Sequence, residues 1–279
     1  MQTATQPRPP RPTIRPRRLD LQLDPAVVPA AWWDDDLFLS LFGDALSLVF
    51  PVGERFFVDS VRRFRKRITD PELLEDINGF AGQEVLHGKA HTAFNDLFRA
   101  HGLESAERKE AHVARLLDRV RRLPPIVQLA VTCALEHLTA MLAEQLLDLS
   151  REVDDTHPSV RPLWLWHALE ESEHKAVAFD VYEAVGGGYA VRAAVMVAAT
   201  VVFIAEMVHI HASFAHDKGL LAKPGRWAHA LSYLWVRPGV LRRIVPGYLD
   251  YFRPGFHPND RDTRELVDAW RVQLFATPA

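Results

Sequence analysis

The chain has 279 residues, 48% of them hydrophobic and 25% charged, with one cysteine and a formal net charge of −3. Collagenous, mucin-like and wholly disordered chains are excluded, as are a disulfide framework and a nucleic-acid binder that works through an overall basic field. A lone thiol, Cys133, fits a reducing compartment, so a cytoplasmic location is expected.

In chain order, residues 1–18 hold five Pro, five Arg and no acid. Such a segment buries little apolar surface, so 1–20 is expected to be a basic, disordered, solvated tail. It lacks the apolar stretch of a secretory signal. Residues 21–279 read as a single helical domain, with no run of alternating residues that would suggest a sheet. Leu37 to Phe50 is an apolar segment ending at Pro51, and a second helix is expected from Pro51 to Ile68. The next runs from about Pro71, with Asp70 as its N-cap, to Arg99. Glu107 to Arg122 is amphipathic and charge-rich, hence a surface helix. Pro124-Pro125 opens a long apolar helix through Leu149, and another spans about Pro162 to Val185, where three glycines stop it. Tyr189 to Phe214 is very apolar, but its uninterrupted run, Ala193 to Ala205, falls short of the roughly 20 residues that span a bilayer. It reads first as a buried core helix, with docking on a membrane or a partner as the alternative. Residues 221–279 read as an irregular helical cap. The expectation is an all-α fold with its core bundle at about 51–185 and an added apolar helix and cap over 189–279.

Several helices carry acids or histidines on otherwise apolar faces, where an unpaired carboxylate is costly. Glu54 lies on the inward face of its helix. Glu84, His87 and His91 stand at i, i+3 and i+7, within a sector of about 60°. Glu136 sits among Thr132, Cys133, Thr139 and Ala140. His167, Glu171 and His174, at i, i+4 and i+7, again share one face. The chain therefore offers a Glu followed by Glu-x-x-His, twice over. In a four-helix bundle this pattern builds a dinuclear carboxylate-bridged metal site of the ferritin-like kind. Four carboxylates and two imidazoles suit two ions of intermediate hardness, two Fe first, with Fe/Mn, Mn or Zn as alternatives. His167 is the expected seventh ligand. His91, Glu144 and Glu170 are candidates either to orient a ligand by hydrogen bonding or to ligate directly. The opposing interpretation pairs these groups with Arg62, Arg63, Lys89 or Lys175, or satisfies the histidines with backbone carbonyls.

The segments ALSLVFPVGERFFVDSVRRF, FAGQEVLHGKAHTAFND, WLWHALEESEHKAVAFDVYE and YFRPGFHPND resemble a bacterial family of predicted metal-dependent hydrolases, over roughly residues 20–275. The resemblance implies a ferritin-like fold and, by the family's name, hydrolysis. The ligand pattern is also similar to that of di-iron arylamine N-oxygenases, matching Glu54, Glu84 and His87, Glu136, and His167, Glu171 and His174. His91 and the long extension after Val185 depart from it.

The expected function is a di-iron oxygenase or oxidase that activates dioxygen and oxidises an unidentified small organic substrate, lipophilic if the 189–214 helix approaches a membrane, with an unknown electron donor. Phe57, Phe80, Phe94, Trp164 and Trp166 are candidates to shape its apolar pocket. A hydrolase using a metal-bound water is the alternative, and a ferritin-like metal-binding protein a third. Nucleic acid is not an expected partner; peripheral membrane contact through 189–214 and a homodimer are kept as alternatives. Cys133 reads as a packed thiol, Glu206 and His209 as satisfied polar groups, and His257 as a turn or cap residue.

Overall fold

The computed structural model describes residues 13–149 and 156–275. They form helices α1 (Leu37–Arg62), α2 (Pro71–Asn95), α3 (Leu97–Ala100), α4 (Ala106–Val120), α5 (Pro125–Asp148), α6 (Arg161–His174), α7 (Val177–Ala184), α8 (Tyr189–Asp217), α9 (Pro224–Trp235), α10 (Val240–Asp250) and α11 (Arg264–Phe275). The only β-type pairing among the described residues is an isolated antiparallel bridge between Trp33 and Thr156. The fold is all-α, as expected.

Helix starts follow local chemistry. The Asp36 carboxylate accepts from Phe38 N at 2.7 Å and Leu39 N at 3.1 Å to cap α1. Asp70 accepts from Glu72 N at 2.9 Å ahead of Pro71 to cap α2, the cap the sequence implies. α1 packs on α2, α5 packs on α6, and α1–α5 and α2–α6 contacts bring the four together. Phe38, Phe56, Phe80 and Trp166 are fully buried among them, each contributing about 2 kcal/mol of burial. α8 lies over α1 and α5, α10 over α5, and α11 over α6. The arrangement is consistent with a ferritin-like fold.

Four expectations need correction. Pro51 does not divide α1, which runs unbroken from Leu37 to Arg62. A proline leaves the carbonyl four residues back without its helical donor. Here that carbonyl, Ser47 O, accepts instead from Asn95 Nδ2 at 3.2 Å, so α2 completes what α1 lacks. The central helices therefore begin at 37 rather than 51. Second, the helix expected over 162–185 divides at Lys175–Ala176, where the Lys175 ammonium reaches Glu144 Oε1, Arg261 O and Thr263 Oγ1 at 2.9–3.0 Å. Third, residues 13–20 are not a solvated tail. Gly79 and Gly82 open a groove along α2 in which Ile14 and Pro16 lie against the glycine backbones. Arg17 bonds Glu170 and Glu173 of α6. Residues 1–12 of the expected tail lie outside the described residues. Fourth, α8 is not a buried core helix. α1, α5 and α8 are each long and apolar enough to cross a membrane; two-thirds of that stretch is buried in α1 and in α5, but only 17% in α8.

Candidate metal centre

Glu54 from α1, Glu84 and His87 from α2, Glu136 from α5, and His167, Glu171 and His174 from α6 converge inside the four central helices. None is more than 4% exposed. Gly88 makes room for the first of them: a Cβ there would stand 3.1 Å from Glu54 Oε2. The nitrogen and oxygen atoms form two groups that could each hold an ion, Glu54–His87–His167 and Glu84–Glu171–His174, with donors in each group within 4.8 Å of one another. His174 Nε2 lies 3.1 Å from Glu84, 3.3 Å from Glu171 and 3.4 Å from Glu136. His167 Nε2 is 3.2 Å from Glu171. His87 Nδ1, 3.7 Å from both Glu84 and Glu171, stands between the two groups.

Both carboxylate oxygens of Glu54, Glu84 and Glu136, together with His87 Nδ1 and His174 Nε2, are buried without a hydrogen-bond partner. Among the described residues no Lys or Arg forms an ion pair with Glu54, Glu84, Glu136 or Glu171, and Lys175 is spent on Glu144. Burial, then the neighbouring Glu84, raises the Glu54 carboxyl well above its usual range. Burial, with Glu84 and Glu171, takes Glu136 up to about 8. At His87 the hydrogen-bonded Glu170 and the nearby Glu84 overcome the depression from burial and hold the ring proton up to about 10. A cluster that draws protons in this way is short of positive charge. Four carboxylates match two divalent cations, and the orphaned oxygens of Glu54, Glu84 and Glu136 are where cations would bind.

Around the cluster, each histidine has one ring nitrogen occupied by a partner that fixes where its proton sits. Glu170 Oε2 accepts from His87 Nε2 at 3.1 Å. Gln83 Oε1 accepts from His174 Nδ1 at 2.9 Å, while Gln83 Nε2 donates to Glu173 at 2.9 Å and so fixes the amide's orientation. The third case is a relay. Ser47 Oγ donates to Asn95 Oδ1 at 2.6 Å and so accepts from His91 Nδ1 at 2.8 Å. His91 Nε2 then accepts from His167 Nδ1 at 2.6 Å. These donor assignments follow from the network. They turn the other ring nitrogens, His87 Nδ1, His174 Nε2 and His167 Nε2, toward the carboxylates, where His167 Nε2 donates to Glu171 Oε1 at 3.2 Å; these are the nitrogens that would face an ion, the device by which outer residues orient metal-binding imidazoles.

All seven sequence-predicted ligand candidates thus come together. Of the three accessory candidates, His91 and Glu170 each bond one of the histidines from outside. Glu144 does not reach the cluster: it pairs with Lys175 and with Arg261 Nε at 2.9 Å. Eight residues beyond Glu136, it stands about 12 Å further along the axis and about 80° round it. Glu206 and His209 lie on α8 against His112 and Lys109, away from the cluster. His257 caps the 3-10 helix Pro258–Asp260 and bonds Asp180 at 2.7 Å. Arg17, Ser47, Gln83, Asn95 and Glu173 were not visible in advance. Gln83, next to Glu84 in an apolar helix, carried the one local signal.

On one flank the cluster opens to a cavity walled by His167, Glu171, Thr139, Trp164, Phe50, Trp32, Leu142 and Leu146, with Tyr233 and Val240 also in its lining. Its ≈110 Å³ of free space is well beyond a single water. Of the expected pocket aromatics only Trp164 lines it. Phe80 and Trp166 stand edge-on to the His174 and His87 rings at 5.0 and 4.8 Å, and Phe57 and Phe94 are core.

The model of a family described as predicted metal-dependent hydrolase matches residues 15–262. The chain belongs to this family. The match takes in every residue of the candidate centre and the packed segment from Arg15 onward, so in this metal-dependent hydrolase family member the N-terminal strap falls within the family's own span. No match was found among curated proteins or among solved structures.

Proposed function

We propose that this protein is an enzyme with a dinuclear metal centre, iron first, that uses dioxygen to oxidise a small apolar organic substrate. The observation that carries the reading is the set of four buried carboxylates without a Lys or Arg beside them among the described residues, faced by three histidines whose inner ring nitrogens point at them. Glu54, His87 and His167 would hold one ion and Glu84, Glu171 and His174 the other, with Glu136 beside the second; a mixed oxygen and nitrogen donor set suits iron or manganese. Such ions, when bound, supply the redox chemistry for dioxygen.

The chain's own residues supply position and dryness. Glu170, Gln83 and His91 each hold one imidazole proton on the outer side. Thr139 Oγ1 donates to Glu171 Oε2 at 2.6 Å and fixes that carboxylate at the cavity wall. Trp32, Phe50, Trp164 and Leu146 exclude water and would hold an apolar group beside His167 and Glu171. Hydrolysis, which the family's description favours, would use the same ligands with a metal-bound water. The largely apolar cavity wall argues for an oxidisable lipophile over an ester or phosphoester.

The test is reconstitution of the purified chain with ferrous iron under nitrogen, followed by admission of oxygen. About two irons per chain and an optical change on oxygenation are expected. Glu84→Ala is expected to lose iron while keeping its helical circular dichroism; unchanged iron content would remove the site assignment. Tight zinc with no response to oxygen and cleavage of ester substrates would give the hydrolase.

A further inference from the structure

The outward side of α8 carries Val197, Val201, Ile204 and Val208 at spacings of four, three and four, a single helical stripe, each at least 50% exposed. α10 adjoins it: Ile244 and Tyr248 turn inward to the cluster that includes Ala199 and Phe203 of α8. Val245 and Leu249 remain outside, as do Leu231, Trp235 and Val236 around the end of α9. Exposed apolar surface concentrated in this way marks an interaction face.

Charge says what would cover it. From Lys218 to Leu249 the chain has six Lys and Arg and no acid, against a net charge of −3 for the whole. Arg226 is paired with Asp36 at 3.1 Å. Arg237, Arg242 and Arg243 are exposed and form no ion pair among the described residues. Glu206, the acid in the middle of α8, turns to His112 at 3.1 Å. Two helices that both lie over α5 and turn apolar side chains outward, with unpaired arginines and an exposed tryptophan on the α9–α10 segment, are complementary to an anionic bilayer surface. A second copy fits less well, because a two-fold contact would set the same arginines against each other.

We propose that the α8–α10 face docks on anionic lipid, with the valine stripe at the acyl boundary and Arg237, Arg242 and Arg243 against headgroup phosphates. α8 would lie on the bilayer rather than cross it, because Arg192, Met196, Met207, Ile210 and Phe214 fasten its other side to the body of the protein. The end of α9 and the start of α10 also wall the cavity, through Tyr233 and Val240. The substrate would therefore be a lipophile drawn from the membrane, a consequence that rests on the cavity being the substrate's.

The experiment is flotation of the metal-loaded full chain with phosphatidylcholine vesicles, with and without phosphatidylglycerol, at low and high salt. It uses no substrate and no turnover, so its failure is distinct from failure of the functional reading. Binding to the anionic vesicles alone, weakened by salt, is expected. Val201→Asp with Ile204→Asp is expected to lower the bound fraction at least about tenfold. Arg237→Gln with Arg243→Gln should cost about fivefold per arginine at low salt. Both pairs change exposed positions, and unchanged melting temperatures would show that the fold is intact. The proposal is overturned by the absence of binding, by equal binding to neutral vesicles, or by insensitivity to both pairs. A wild-type dimer that Val201→Asp makes monomeric would assign the face to a second copy instead.

Discussion

The Asp44 carboxyl is buried in α1 with one hydrogen bond, from Trp32 Nε1 at 2.8 Å, and burial pushes it up to about 8. The folded chain therefore keeps a proton there that the unfolded chain gives up near pH 4. This contribution to stability is complete below the unfolded value and is lost as pH rises toward 8, at up to about 1.4 kcal/mol per pH unit for one group. Asp44→Asn keeps an acceptor for Trp32 and cannot ionise. Thermal melts of the metal-loaded protein from pH 5 to 8 are expected to show wild type falling relative to the variant, with the variant the more stable near pH 8; parallel curves would place the proton elsewhere. At this scale the sequence was informative where chemistry follows helical spacing: Glu84 and His87, or His167, Glu171 and His174, share a face because of their intervals alone. It was silent where the partner is remote. Nothing near Gln83 says that Glu173, ninety residues on, will fix its amide, and Glu144 misled because an acid in an apolar helix looks the same whether a metal or a lysine awaits it.

At the level of elements, the clasp between Asn95 and Ser47 binds α2 to α1 where Pro51 interrupts the hydrogen-bond ladder. Asn95→Ala leaves Ser47 O without a donor and Ser47 Oγ without its acceptor, and is expected to cost about 1–2 kcal/mol. Urea unfolding with an unchanged m-value would read it. In a Pro51→Ala background the ladder supplies its own donor, so the same substitution should cost less, and a double-mutant cycle gives the difference. The proline was legible as a helix signal and misassigned as a boundary because the donor that rescues it comes from another helix. Caps, by contrast, were legible, since Asp70 and Pro71 act on their own chain neighbours. α8 was misjudged for a related reason: apolar composition does not say which neighbours a helix will have, and only its inner face acquired any.

Across the whole molecule, the N-terminal strap departs furthest from the sequence-based expectation. Its proline and arginine content is that of a solvated arm, yet Arg17 meets two carboxylates, Glu170 and Glu173, that α6 buries completely. Arg17→Ala leaves these charges short of a partner and is expected to cost about 3 kcal/mol. It should also weaken metal binding about tenfold, because Glu170 steadies His87. A lowered denaturation midpoint together with a raised metal dissociation constant would check both; loss of stability alone would separate the strap from the centre. Glu173 takes Arg17 from one end of the described chain and Arg271 from the other, at 2.7–3.1 Å. During synthesis, then, the first of these arginines must wait for more than two hundred and fifty residues before the last joins it. Contacts of such sequence separation form late. The packing that sets the histidine protons is thus completed only when both ends of the described chain have docked, so the acidic pocket stays open to incoming ions until Arg271 has been made and has reached Glu173.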